Sequence, residues 1–393
     1  MAASSDPRNF FESDAAIQQR ERREAKAANK LGSPVVLKSK IVAAVVDPTS
    51  PSSVLVAEAA GKVRRVDLET STVTKTYQGP KSPLSSLAVG GRDNKVVYAG
   101  SWDKSVWSWD ISTGQLLRKF TGHSDFVKAL LWTRISDLEV LISGGSDKKI
   151  IVWDANTGSR LHTVQDPSTT MLAVLNLVLD PVASTPDEAV VVSASSDPHI
   201  RRWRIRKDSY EQLAEIHPDV PGAERPTIRE HETSVYKLVF DGDEGDLWTA
   251  STDGAAKCLS RARHFTAEDE FVHGSPLRAV IPTDTWVFTA GRDEDVRVWD
   301  RTSGNLYSVL VGHFDEVTDL VLVGDSQGVP RCVCSVSLDG TVRTWPLARG
   351  ELDAVIKEIQ EAGNRPPGEE KHETKGGMTA EEEAELEALM EDD

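Results

Sequence analysis

Cysteine, methionine and tyrosine are scarce in this 393-residue chain, which holds 3 Cys, 4 Met and 5 Tyr. Cys258, Cys332 and Cys334 form an odd set without zinc-site spacing, so neither a disulfide framework nor a structural metal is expected, and a reducing compartment fits best. Cys332 and Cys334 flank Val333 and should point to one face of a strand, packing as small apolar side chains. No apolar run has the length of a membrane helix, and the N-terminus, with Asp6, Arg8, Glu12 and Asp14, lacks the apolar core of a signal peptide. The expectation is a cytoplasmic or nuclear protein without membrane insertion. Basic residues are outnumbered, 45 Lys and Arg against 62 Asp and Glu, and the formal charge of −17 opposes general nucleic-acid binding. Gly-x-Ser-x-Gly, P-loop and His-Glu-x-x-His motifs are all missing. We therefore assign no catalytic residue, cofactor or metal site, and expect a non-enzyme.

What is present is a repeat. An Asp followed six residues later by a Trp recurs as Asp103/Trp109, Asp147/Trp153, Asp197/Trp203, Asp293/Trp299 and Asp339/Trp345. Asp253/Leu259 keeps the Asp, and Ala60/Val66 keeps only the surrounding pattern. Successive Trp positions, 66, 109, 153, 203, 259, 299 and 345, are 40 to 56 residues apart. A period near ~40–45 residues indicates stacked supersecondary units, here four-stranded propeller blades. Within each unit, segments such as Val96-Val-Tyr-Ala-Gly and Val296-Arg-Val-Trp alternate with period two, as packed antiparallel strands do.

The third repeat carries Gly122-His123, Val127-Lys-Ala-Leu130, Leu141-Ile-Ser-Gly-Gly-Ser-Asp147, Ile151-Val-Trp153-Asp154 and Thr157-Gly158. It resembles a WD40 repeat, and the resemblance extends over residues 35 to 350, implying an all-β, seven-bladed propeller. In that family the His, a Ser or Thr, the Asp and the Trp of one blade form a hydrogen-bonded chain. The physics is independent of the family: the Asp accepts from the imidazole, the hydroxyl continues the chain and the indole N–H donates. Full sets are His123/Ser143/Asp147/Trp153, His273/Thr289/Asp293/Trp299 and His313/Ser335/Asp339/Trp345. The fifth repeat has His231, Thr249 and Asp253 with Leu259, the fourth has Thr170 at the His position, the second has Pro80, and the first has neither His nor Asp. Blades three, six and seven are thus expected to be stiffest and blade one softest.

The domain reading is a basic, partly helical N-terminal extension over residues 1–34, the propeller over 35–350, a short element over 351–363, and an acidic linker and peptide over 364–393. Arg22, Lys26 and Lys30 would form a basic stripe without an apolar one, which argues against docking through burial. Leu352, Val355, Ile356 and Ile359 have helical spacing, yet could begin the outer strand of blade seven. Either Ser33–Ser39 or Gly350–Ile356 should close the ring. Thr379 to Asp393, with Thr379 and Glu382 as a capping box, reads as an acidic amphipathic peptide too short to be stably helical alone.

Two surfaces are candidates for partners. Arg206, Lys207, Arg261, Arg263 and Arg301 follow the Trp positions of neighbouring blades, with His264, Arg202 and Arg204 nearby, and should form a basic arc for an acidic or phosphorylated peptide. On the opposite face, the resemblance places the residue before each Asp: Trp102, Ser146, Ser196, Thr252, Arg292 and Leu338. Trp102, Arg292 and Leu338, ringed by Asp125, Phe126, Phe314 and Asp315, are the expected partner anchors. The connection from His217 to Arg229 should rise over that face. The functional expectation is a monomeric scaffold or adaptor in a multiprotein complex. A substrate receptor of a cullin-type ubiquitin ligase, through Asp197, Trp203 and Arg206 or Asp293, Trp299 and Asp300, is an alternative, as is an assembly chaperone for a basic client.

Overall fold

The computed structural model describes residues 29–363 except 167–169, 219, 221, 243–244 and 326, together with Arg20 and Glu24. Seven four-stranded antiparallel sheets follow one another in chain order. Their innermost strands (a), each touching the next around a closed circle, are Ile41–Val46, Leu84–Gly90, Val127–Ile135, Val174–Leu179, Val235–Asp241, Leu277–Pro282 and Val317–Gly324. The second strands (b) are apolar on both faces and buried along nearly their whole length, as in Ser53–Glu58 and Ala189–Ser195; the third (c) and outermost (d) strands follow outward, in blade five Ala255–Ser260 and Thr266–Val272. Each sheet must therefore be covered on both sides. Seven apolar clusters do this, each lying between two neighbouring blades, so the core is a set of interfaces. Among the described residues no helix is long and apolar enough to cross a membrane.

Ring closure comes from the N-terminal side. Val35–Val36 is the outermost strand of blade seven, pairing antiparallel with Thr341–Pro346 through Val35/Val342 and Val36/Thr341. The alternative segment forms instead the helix Arg349–Gly363, whose Leu352 is buried and whose Val355, Ile356 and Ile359 pack on the interface of blades six and seven. Arg349 lies over the rings of Trp286 and Tyr307 at the start of this helix. Just ahead of the closing strand, Leu31 is buried, Asn29 donates to the Gly312 carbonyl (3.2 Å), and Arg343 donates to both Asn29 Oδ1 (2.8 Å) and the Leu31 carbonyl. Gly32 has φ +68°, and a Cβ there would sit 2.9 Å from the Trp345 ring. The chain thus docks further upstream than its basic composition suggests. The predicted basic stripe at Arg22 and Lys26, and the peptide at 379–393, lie outside the described residues.

The connection between blades four and five departs from expectation. A hairpin, Glu215–Ile216 with Glu224–Arg225, folds along the side of the ring toward the turn before strand d of blade five. Glu215 pairs with Arg202 (2.6 Å) and His264 (3.3 Å), and Arg225 donates to the carbonyls of His264 (2.8 Å) and Phe265 (3.3 Å). These contacts tie the hairpin to the outer strands of blades four and five, and only the end of the connection, through Thr227 on His199 (2.8 Å) and Ile228 on Ile200, returns beside the turn of Asp197.

Candidate partner-binding face at the channel mouth

The recurring polar residues of the repeats are consumed inside the blades. In blade three, His123 Nδ1 faces Asp147 (2.9 Å), so that nitrogen carries the proton, and Nε2 accepts from Ser143 Oγ (2.8 Å). Trp153 Nε1 donates to the same hydroxyl (2.8 Å). Blade seven repeats this with His313, Asp339, Ser335 and Trp345. Blade six does so with the imidazole turned over, Nε2 on Asp293 and Nδ1 on Thr289. Blade five keeps His231 between Asp253 (2.8 Å) and Thr249 (2.7 Å) without an indole. Burial opposes ionisation of these carboxylates, but the imidazole hydrogen bonds outweigh it: Asp147, Asp293 and Asp339 fall below the usual range, and Asp253 falls to about 2.

Where the His is missing, ions replace it. Arg201 is buried in blade four, with Nε on Asp166 (2.6 Å) and Nη1 on Asp197 (3.1 Å). In blade one, buried Glu58 pairs with Arg64 (3.1 Å), while buried Asp47 pairs with Arg65 (2.5 Å) at the other end of the sheet. In blade two, Asp103 accepts from Trp107 Nε1 (3.0 Å), and Trp109 donates to the Gln78 carbonyl (2.9 Å), so the Asp and Trp at six-residue spacing do not meet. The thiols are no better placed for chemistry: burial pushes Cys258 up to about 12 and Cys332 and Cys334 upward as well.

The expected basic arc is laced with carboxylates. Arg206 contacts Glu188 (2.9 Å) and Glu211 (3.4 Å), and Arg204 the same two acids. Buried Asp180 receives both Arg202 (3.3 Å) and Arg261 (2.6 Å), bridging blades four and five, and Arg301 is on Asp241 (2.5 Å) and over Trp248. Lys207 and Arg263 are exposed. Arg202, Arg204, Arg206, Arg261 and Arg301 thus serve as ties within and between blades, and Arg206, on which one of the two ligase-receptor readings draws, is already engaged.

The opposite face is different. Trp102 is 41% exposed and stacks on Phe126, with ring centroids 4.9 Å apart and planes 14° from parallel. Arg292 is exposed, while Leu338, Phe314, Asp125 and Asp315 are half-buried. Trp102 and Leu338 line a cavity of about 480 Å³ that draws residues from all seven blades, the mouth of the central channel. Arg292 and Phe314 do not line it. Asp125 and Asp315 accept from the backbone N–H of the following residues (2.8 Å each), which shapes the adjoining turns.

A repeated backbone device builds this mouth. At the start of every strand a the register slips by one residue, between Ile41/Ala43, Leu84/Ser86, Val127/Ala129, Val174/Asn176, Val235/Lys237, Leu277/Ala279 and Val317/Asp319. The extra residue has no ladder partner, and a bulge of this kind re-aims its side chain. The seven residues so placed are Val42, Ser85, Lys128, Leu175, Tyr236, Arg278 and Thr318, and all seven line the cavity. Sequence reasoning missed them. Their signal was available as the position following the first strand-a residue in each repeat, but a bulge is invisible to period-two patterning.

Comparison with known proteins agrees with this architecture. The WD domain, G-beta repeat model matches residues 71–110 and 269–300, and the tRNA methyltransferase TRM82 WD40 domain model matches residues 120–217. A WD repeat-containing protein of Schizosaccharomyces pombe is 32% identical over 99% of this chain and 100% of its own length. Autophagy-related protein 16 of Arabidopsis thaliana is 25% identical over 72% of this chain and 51% of its own length, and human WD repeat-containing protein 37 is 26% identical over 73% and 54%. The chain thus spans about half the length of those two relatives. With seven blades, three complete His–Ser/Thr–Asp–Trp chains and a full-length relative above 30% identity, the chain belongs to the WD-repeat family of β-propellers.

Proposed function

We propose that this protein is a non-catalytic protein-interaction scaffold or adaptor that docks a partner segment at the channel mouth. The observation that carries the reading is Trp102, held half-exposed by its stack on Phe126 at the rim of a cavity built from all seven blades. Trp is enriched among interface anchors because one rigid ring covers a large apolar area. The rest of the polar inventory supports the same view: the imidazoles and carboxylates of blades three, five, six and seven are locked in internal chains, and the thiols are protonated by burial. The test is affinity purification with the intact chain against a Trp102→Ala, Arg292→Ala double variant that remains folded. Loss of a specific protein from the variant supports docking here. Identical partner sets place docking elsewhere.

A further inference from the structure

Four cations, Lys40, Lys128, Lys237 and Arg278, and two carboxylates, Glu316 and Asp319, line the channel mouth, an inversion of the chain's formal charge of −17. Most of these cations are already answered. Lys237 Nζ is 2.6 Å from Asp319, Arg278 pairs with Glu316 and lies 4.0 Å over the ring of Tyr236, and Lys40 is 3.8 Å from Asp315. Lys128 is the exception. Its ammonium lies 5.6 Å over the Trp102 ring, and among the described residues no carboxylate oxygen comes within 4.0 Å of it. Burial and the nearby Arg278 charge lower its pKa, and the charge of Asp125, which makes no direct ion pair with it, acts in the opposite direction.

Resting on the docking reading above, we propose that the mouth takes one acidic side chain of a partner protein's segment, seated on the Lys128 ammonium beside Trp102. A single anion is specified because the other three cations have carboxylates of their own, so a polyanion would find one uncompensated charge and two repelling ones. A peptide is specified because the surroundings are largely apolar: Val42, Pro83, Leu87, Leu130 and Leu175, with Leu338, line the same cavity. Its volume of about 480 Å³ is within the roughly 300–1,000 Å³ of clefts that enclose a small ligand or a few side chains. The acidic residue provides charge complementarity, and its aliphatic neighbours cover Trp102 and Leu338.

The probe is a phage-displayed random dodecapeptide library, selected against the full chain and against Lys128→Gln, Lys128→Arg and Trp102→Ala. The intact chain is expected to enrich peptides with one Asp or Glu flanked by aliphatic residues. For such a peptide made synthetically, Lys128→Gln should weaken binding about tenfold, one charge-assisted hydrogen bond, while Lys128→Arg keeps most of the affinity. Apolar peptides without an acidic position, or an acidic preference that survives in Lys128→Gln, would overturn the proposal while leaving docking at Trp102 standing. Selected peptides that bind Trp102→Ala unchanged would overturn the docking reading itself. Displacement of the peptides at similar affinity by a synthetic copy of residues 378–393 would assign the mouth to this chain's own tail and remove the partner from the proposal.

Discussion

Blades three and four are neighbours with the same strand order, the same turn Asp and the same Trp donating to a Ser hydroxyl at 2.8 Å, yet they are locked by different physics. Blade three uses a chain of hydrogen bonds running from Asp147 through His123 and Ser143 to Trp153. Blade four has no His at the position of His123, and Asp197 instead meets Arg201, which also holds Asp166 and donates to the His199 carbonyl (3.0 Å). The lesson is that the fold needs the turn Asp satisfied, and a guanidinium arriving from strand c does this as well as an imidazole arriving from the d–a turn. The energetic consequences differ, because a buried ion network fails more severely when one member is removed.

The largest expected effect breaks blade four. Arg201→Met leaves Asp166 and Asp197 without their shared guanidinium in a buried site, and should cost about 3–5 kcal/mol, read as a drop in the urea midpoint. In blade three, Ser143→Ala removes the hydroxyl that both His123 and Trp153 use, leaving two buried nitrogens unpaired. The expected loss is smaller, about 1–3 kcal/mol by the same measurement.

Acid sharpens the contrast further. Asp253 in blade five has a folded pKa of about 2 against an ordinary 3.8, so its contribution is complete above the unfolded value and is lost as pH falls from about 4 toward 2. Asp147, Asp293 and Asp339 are depressed in the same direction. Urea midpoints followed from pH 6 to pH 2 should therefore fall less steeply below pH 4 in Asp253→Asn than in the native chain. The smallest effect is expected at the rim: Trp102→Ala loses one stacked aromatic pair and should cost about 1 kcal/mol, seen as a small shift in melting temperature.

Much of the architecture was legible in the chain because it rests on local, repeated chemistry. The Asp and Trp spacing, the strand alternation and the His, Ser and Thr positions of blades three, six and seven all lie within one blade, and those hydrogen bonds form as the residue types require. Blade two, with Pro80 at the His position, was not among the full sets, and there Asp103 accepts from Trp107, two residues before Trp109 on the same face of the strand. The same logic could not find Arg201, whose side chain completes the site left by the absent His in blade four.

The candidate site was only half legible. Trp102 and Leu338 were visible as residues before the turn Asp, but Lys128, Tyr236, Lys237 and Arg278 were not, since what brings them together is seven bulges converging on one axis. The arginines after the Trp positions looked like one charged surface because their partners, Glu188, Glu211, Asp180 and Asp241, lie 5 to 81 residues away in other parts of the chain. By itself the sequence determined the blade, its number of copies and its internal hydrogen bonds, which depend on contacts within roughly one repeat period. Tertiary structure decided which chain end closes the ring, which charges are neutralised and which side chains meet at the axis. Those outcomes depend on residues from different blades brought within a few ångströms only when the circle closes.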